Sequence, residues 1–296
     1  MQLTRVRTNG VTFSCAVAGE GPLVLLLHGF PEDHRSWEPV IPGLVGAGLR
    51  VVAPDLRGYG ATERPPSGYD LQTLTDDVRG LAAHFLQEEG GDGPSGRRVR
   101  VVGHDWGGVL TWAFAHRHPD VLARAAVLNG PHPRLFVRRL LSRRQLRKSW
   151  YMAFFQLPKL PEAWLRRGGL EVLWRGWGAH RAAFPQDAMD ALTEMFAQPD
   201  ALRGPLAWYR SAARQGLGFG RFCAGVTDAE LLVLWGERDG CLEASALDGI
   251  QRHAHNVRIV RFPDAGHWLH REATPRVLEE LIGFLEPKPG QNLDDD

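Results

Sequence analysis

A carboxylate at the tip of a glycine-flanked turn is placed to attack carbon, and the stretch Gly103-His104-Asp105-Trp106-Gly107 has that form. It follows the small-x-nucleophile-x-small pattern, in which a sharp strand-to-helix turn exposes its central residue, here Asp105. Glycines flank such a tip because strand and helix backbones come too close there for a Cβ. Taken alone, the pentapeptide reads as readily as an ordinary turn with Asp105 capping the helix. Two later stretches bear on that choice. "LLVLWGERD" ends a strand-like run with Asp239, and "FPDAGHW" places His267 after another. Nucleophile, acid and histidine therefore occur in the chain order expected of such a site. Glu237 is a rival acid, but Asp239 lies further into the loop, where it can reach an imidazole N–H.

These residues need a scaffold that gathers them. "QLTRVRTNGVTFSCAVAG" carries Asn9-Gly10 between two alternating segments and reads as an antiparallel hairpin. Short apolar runs then alternate with helical stretches: "LVLLLHG", "LRVVAPD", "RVRVVGHD", "LARAAVLNG", "ELLVLWGERD" and "NVRIVRFPDAG". This rhythm predicts an α/β fold with a mostly parallel, eight-stranded sheet covered by helices on both faces. Chemistry on such sheets sits at the carboxyl ends of the strands. His28-Gly29-Phe30, Asp55, Asp105, Asp239 and His267 all fall there. Between residues 131 and 225 the rhythm stops and the chain becomes rich in Trp and Arg. That segment is expected to be an inserted helical cap, dividing the core into residues 1–130 and 226–296. Gly- and Pro-rich stretches at both borders read as hinges. The segment Glu88–Arg98 reads as a surface loop, and the C-terminal "PKPGQNLDDD" as a frayed tail.

Composition narrows the partners. Of 296 residues, 44% are apolar, enough for a sizeable core, and 35 Lys+Arg against 34 Asp+Glu leave a net charge of +1. No global field draws the chain to nucleic acid or anionic membrane. Cys15, Cys223 and Cys241 are far apart and form no CxxC, so the spacing offers neither a disulfide framework nor a zinc motif. The N-terminus lacks an apolar signal segment and no run spans a bilayer. The expectation is a cytoplasmic monomer or homodimer without metal or organic cofactor.

The motifs in their order resemble the α/β-hydrolases, and among them the epoxide hydrolases: "HGFPE" (His28 to Glu32), "PDLRGYG" (Pro54 to Gly60), "GHDWGG" and "WGERD…GHW". The similarity spans nearly the whole chain. "SWYMAFFQLP" and "LRGPLAWYR" resemble the cap stretches that supply that family's ring-opening tyrosines, which here would be Tyr151 and Tyr209. The resemblance implies a small apolar epoxide and water as substrates. Asp105 would form a hydroxyalkyl ester, which a water activated by His267, oriented by Asp239, would hydrolyse. The backbone N–H groups of Phe30 and Trp106 would form the oxyanion hole. A carboxylate suits this attack because its unperturbed pKa of about 3.9 leaves it ionised, and a phenol of pKa about 10 can protonate the departing alkoxide.

Three other functions are compatible with parts of the pattern. A dehalogenase shares the ester chemistry, but the haloalkane enzymes usually carry Asn at the position of Phe30 and fluoroacetate enzymes Arg at that of Trp106. A non-catalytic small-ligand receptor would commonly lack a triad member. A serine esterase lacks its serine. Trp150, Phe154, Phe155, Trp174, Trp177 and Trp208 are candidates to line an apolar pocket. The basic run Arg138–Lys148, with leucines at helical spacing, reads as one amphipathic cap helix with a solvated face.

Overall fold

A computed structural model describes residues 1–88, 98–140 and 142–286. The glycine-rich loop expected between Glu88 and Arg98, and the tail from Pro287, lie outside the described residues. β1 (Gln2–Thr8) and β2 (Val11–Ala18) pair antiparallel, with Thr8 opposite Val11. Asn9 and Gly10 turn between them at φ 45° and 76°, the left-handed pair that a two-residue hairpin needs.

Six further strands complete the sheet: β3 (Leu23–Leu27), β4 (Arg50–Pro54), β5 (Val99–His104), β6 (Leu122–Leu128), β7 (Leu231–Gly236) and β8 (Val257–Phe262). The order is β1-β2-β4-β3-β5-β6-β7-β8, parallel from β4 onward. This is the α/β-hydrolase architecture. Strand alternation divides the core. Leu23, Leu25 and Leu27 of β3 join the cluster on one face, and Val24 and Leu26 the cluster on the other. α2 (Leu71–Glu88) and α3 (Trp106–Arg117) cover the first face through residues such as Leu81, Phe85, Leu110 and Phe114. α1 (Ile41–Gly46), with α12 (Leu269–Glu272) and α13 (Thr274–Leu285) near the end of the chain, covers the second through Leu44, Leu269, Val277 and Leu281.

Between β6 and β7 the described residues contain helices and no strand. These are α4 (Pro133–Arg139), α5 (Arg143–Lys148), α6 (Trp150–Phe154), α7 (Leu160–Trp164), α8 (Leu170–Trp177), α9 (Gln186–Ala197), α10 (Arg203–Gln215) and α11 (Leu217–Arg221). Two expectations change here. The basic run is not one helix: Ser142 takes an extended conformation and its Oγ accepts the Gln145 N–H at 3.1 Å, so α5 starts afresh. Nor is its face wholly solvated, because Gln145 is buried and Lys148 Nζ donates to the carbonyls of Asp239 and Leu242 at 2.5 and 2.9 Å. The second border stretch is partly helical, as α11. Among the described residues no helix is long and apolar enough to cross a membrane.

The β5-to-α3 turn is a crowded crossing. A Cβ on Gly107 would meet the Leu27 carbonyl oxygen, and one on Gly103 the Gly107 carbonyl oxygen, closer than real carbon atoms approach. Gly107→Ala should therefore cost about 1–3 kcal/mol or more and lower Tm by several degrees in thermal denaturation. Gly46→Ala, whose Cβ would meet nothing within 4 Å, should leave Tm unchanged or slightly raised. Equal Tm values for the two variants would refute this crowding at the turn.

Candidate active site

Asp105 sits at φ 51° and ψ −115°, a conformation that costs a non-glycine residue on the order of 1–3 kcal/mol. It heads α3 without capping it, since its side chain makes no bond to the helix N–H groups. The carboxylate turns the other way: Oδ1 accepts the backbone N–H of Phe30 at 3.0 Å, and Oδ2 lies 3.5 Å from His267 Nε2. The N-cap alternative is thereby excluded. Phe30 follows β3, and its loop is fixed from below by His28, whose Nε2 accepts the Leu56 N–H at 3.0 Å. Trp106 begins α3, so its N–H lies among those that a helix start leaves unpaired.

His267 is fully buried and held through Nδ1 and both of its backbone polar groups. Its Nδ1 lies 2.7 Å from Asp239 Oδ2, its N–H donates to Trp177 O at 3.1 Å, and its carbonyl accepts from His104 Nε2 at 2.9 Å. Burial alone would depress the imidazole pKa, but Asp239 and Asp105 outweigh it and carry the pKa to about 10. Asp239 is itself saturated. Oδ1 accepts the N–H groups of Cys241 and Leu242 at 2.6 and 2.8 Å, and Oδ2 also accepts Asn129 Nδ2 at 2.6 Å. Glu237 points elsewhere and pairs with Arg261 at 2.8 Å. The ligating atoms of Asp239, Cys241 and His267 are close enough to hold an ion, but those of Asp239 and His267 are committed to each other.

Tyr151 of α6 and Tyr209 of α10 are both buried, their rings 5.8 Å apart. Burial first, with the nearby Asp105 charge adding to it, pushes both phenols well above the usual tyrosine range. Tyr151 Oη lies 3.0 Å from Cys241 Sγ; Tyr209 Oη and His267 Nε2 have no hydrogen-bond partner among the described residues. Both tyrosines, Asp105 and the Trp106 ring line one cavity of about 510 Å³. Phe136, Val137, Leu140, Met152 and Phe219 line it too.

None of the six aromatic residues that were candidates for that lining is there. Four of their rings join the helical insert to the core instead. Trp208 Nε1 donates to Arg57 O at 3.0 Å and Trp174 Nε1 to Glu32 Oε1 at 3.3 Å. Phe155 packs on Phe30, and Trp177 stands edge-on to His267 at 5.5 Å. Trp150 is exposed. Sequence reasoning missed Asn129 and Cys241. Asn129 carried a signal, an Asn-Gly at the carboxyl end of β6, whereas nothing in the sequence points from Cys241 to Tyr151.

A family model described as the alpha/beta hydrolase fold matches residues 22–274. AB hydrolase superfamily protein YfhM of Bacillus subtilis is 35% identical, the match covering 94% of this chain and 95% of that protein. Epoxide hydrolase 3 of Xenopus tropicalis is 34% identical, covering 95% of this chain and 77% of that one. The crystal structure of the Bacillus megaterium epoxide hydrolase in complex with an inhibitor superposes with a TM-score of 0.79 at 26% identity, over 95% of this chain and 99% of that one.

With its pKa raised to about 10, His267 is an imidazolium at neutral pH and loses its proton only as pH climbs through that value. The downfield Nδ1 proton of His267 in NMR should accordingly move with a midpoint near pH 10, and the midpoint should fall in Asp239→Asn. A midpoint near 6.5 in the wild type would contradict the two-carboxylate environment.

Proposed function

The chain belongs to the α/β-hydrolase fold family and, within it, to the epoxide hydrolases, and from that premise we propose how its residues turn an epoxide into a vicinal diol. The observation that carries the mechanism is the meeting of Asp105, Tyr151 and Tyr209 on one apolar cavity, with His267 Nε2 3.5 Å behind the Asp105 carboxylate. Residues 131–225 act as the cap over a core of residues 1–130 and 226–296. The cavity, about 510 Å³, is of a size that buries a drug-sized ligand, and its lining suits apolar epoxides, aryl ones included. Three buried thiols outside any disulfide suit a reducing cytoplasm. The catalytic set lies within one chain, so a monomer and a homodimer would act alike.

In the first step Asp105 Oδ2 attacks an epoxide carbon while the phenols of Tyr151 and Tyr209 hold the ring oxygen. One C–O bond breaks, the ester forms, and a phenol proton passes to the alkoxide. Esterification removes the Asp105 charge. One of the two carboxylates that hold the His267 proton is then gone, the imidazole pKa falls, and its proton restores the tyrosine. His267 is now neutral, with Nδ1–H on Asp239 and a free lone pair on Nε2.

In the second step Nε2 takes a proton from water, which attacks the ester carbonyl. The tetrahedral oxyanion forms where Oδ1 now lies, against the Phe30 N–H at 3.0 Å, with the Trp106 N–H as second donor. Collapse releases the diol and regenerates the Asp105 carboxylate beside imidazolium, the resting pair. Protons therefore balance within the site over one turnover. Two phenols also separate this chemistry from dehalogenation, because a halide leaves without needing a proton.

His267→Gln should form the ester once and stall, lowering steady-state diol production roughly 10³-fold or more while mass spectrometry finds the adduct on Asp105. Near-normal turnover by that variant would rule the mechanism out. Tyr151→Phe or Tyr209→Phe should each slow ring opening, and the double change should lose roughly 10²–10⁴-fold. The pH dependence of kcat/KM reports the free enzyme. Ring opening uses the Asp105 carboxylate and the phenols while His267 is an imidazolium, so kcat/KM should stay level from pH 6 to 9; a rise centred near 6.5 would show that ring opening awaits loss of the His267 proton and would contradict the proton cycle.

A further inference from the structure

Linear spacing offers no metal motif, yet folding joins three donors from distant stretches. His116 lies on the last turn of α3, His132 just past β6 where the chain leaves the sheet for the insert, and Cys223 just past α11 where it returns. Their ligating atoms all lie within 4.8 Å of one another, and the Nε2 atoms of His116 and His132 are 3.0 Å apart. His132 is 1% and Cys223 0% exposed. A histidine–histidine hydrogen bond satisfies only part of this group: Nδ1 of His132 has no partner, and the Cys223 thiol is in no disulfide. The His253 ring stacks on His132 at 4.8 Å and walls the group on that side, its Nδ1 near Gly225 O. No carboxylate belongs to the cluster.

We propose that His116, His132 and Cys223 form a zinc site that ties both roots of the helical insert to α3. Two imidazoles and a thiolate are the donor types that zinc selects over magnesium or calcium. Zinc bonds of about 2.0–2.1 Å to nitrogen and 2.3 Å to sulfur place tetrahedral ligand atoms roughly 3.3–3.6 Å apart. The two nitrogens are already near that spacing, and side-chain rotation of the third arm closes the rest. His116 is half-buried, so its side gives the ion an entry path and a fourth position for water. Binding releases the thiol proton to solvent. The ion acts on the insert's attachment and takes no part in epoxide chemistry.

The test is titration of the chelator-stripped, full-length protein with Co²⁺ and with Zn²⁺. One Co²⁺ per chain should give a thiolate-to-cobalt charge-transfer band, Zn²⁺ should displace it, and Zn²⁺ should raise Tm. Cys223→Ser should lose the band, and His116→Gln, at a half-exposed position, should weaken Zn²⁺ binding by about tenfold or more. Cys241→Ser should keep the band, which separates this cluster from the thiol beside Tyr151. Absence of stoichiometric binding, a band that survives Cys223→Ser, or one that disappears only in Cys241→Ser would overturn the proposal.

Discussion

A buried imidazole between two carboxylates, 2.7 Å from Asp239 and 3.5 Å from Asp105, is the arrangement on which the rest of the site depends. An isolated charge in such a place would be prohibitively costly. Here the charges compensate one another, and Asp239 is further satisfied by Asn129 and two backbone N–H groups. Removing the charge of Asp105, as esterification does, disturbs that balance at one defined point. The group that responds is the one whose lone pair the next step needs.

That balance requires a turn no ordinary sequence could hold. Asp105 occupies φ 51° where Gly103 lets β5 lie against the start of α3 and Gly107 lets α3 pass the end of β3. The same turn places Oδ1 on the Phe30 N–H and leaves Oδ2 facing the histidine. His104, one residue before the tip, reaches the His267 carbonyl at 2.9 Å and so joins the two ends of the chemistry through a neutral ring. Burial lowers the pKa of His104 well below that of free histidine, which keeps a second cation away from His267. The tyrosines arrive from a different part of the chain, and the large rings of the insert serve mainly to fix that part against the sheet.

Most of this was legible in the sequence for identifiable reasons. Glycines around Asp105, strand-end positions for Asp239 and His267, and the Asn-Gly hairpin are local signals with local causes. The assignment of Tyr151 and Tyr209 came from resemblance, because nothing in α6 or α10 by itself says which face meets Asp105. What sequence could not supply was side-chain direction. Trp174, Trp177 and Trp208 share the composition of a pocket wall but point to hydrogen-bond partners or rings on the core. The Asn129 side chain and the Cys241 thiol act through contacts with residues 110 and 90 positions away. Ser142 restarts a helix that leucine spacing alone would have continued.

The most direct measurement is a single turnover with enzyme in excess over epoxide in water enriched in ¹⁸O, followed by mass spectrometry of the diol and of the peptide carrying Asp105. If Asp105 forms the ester and water attacks its carbonyl, the first diol contains no heavy oxygen and the label appears in the Asp105 carboxylate. Heavy oxygen in the first diol with an unlabelled Asp105 would mean that water opens the epoxide directly, and the ester mechanism would be wrong.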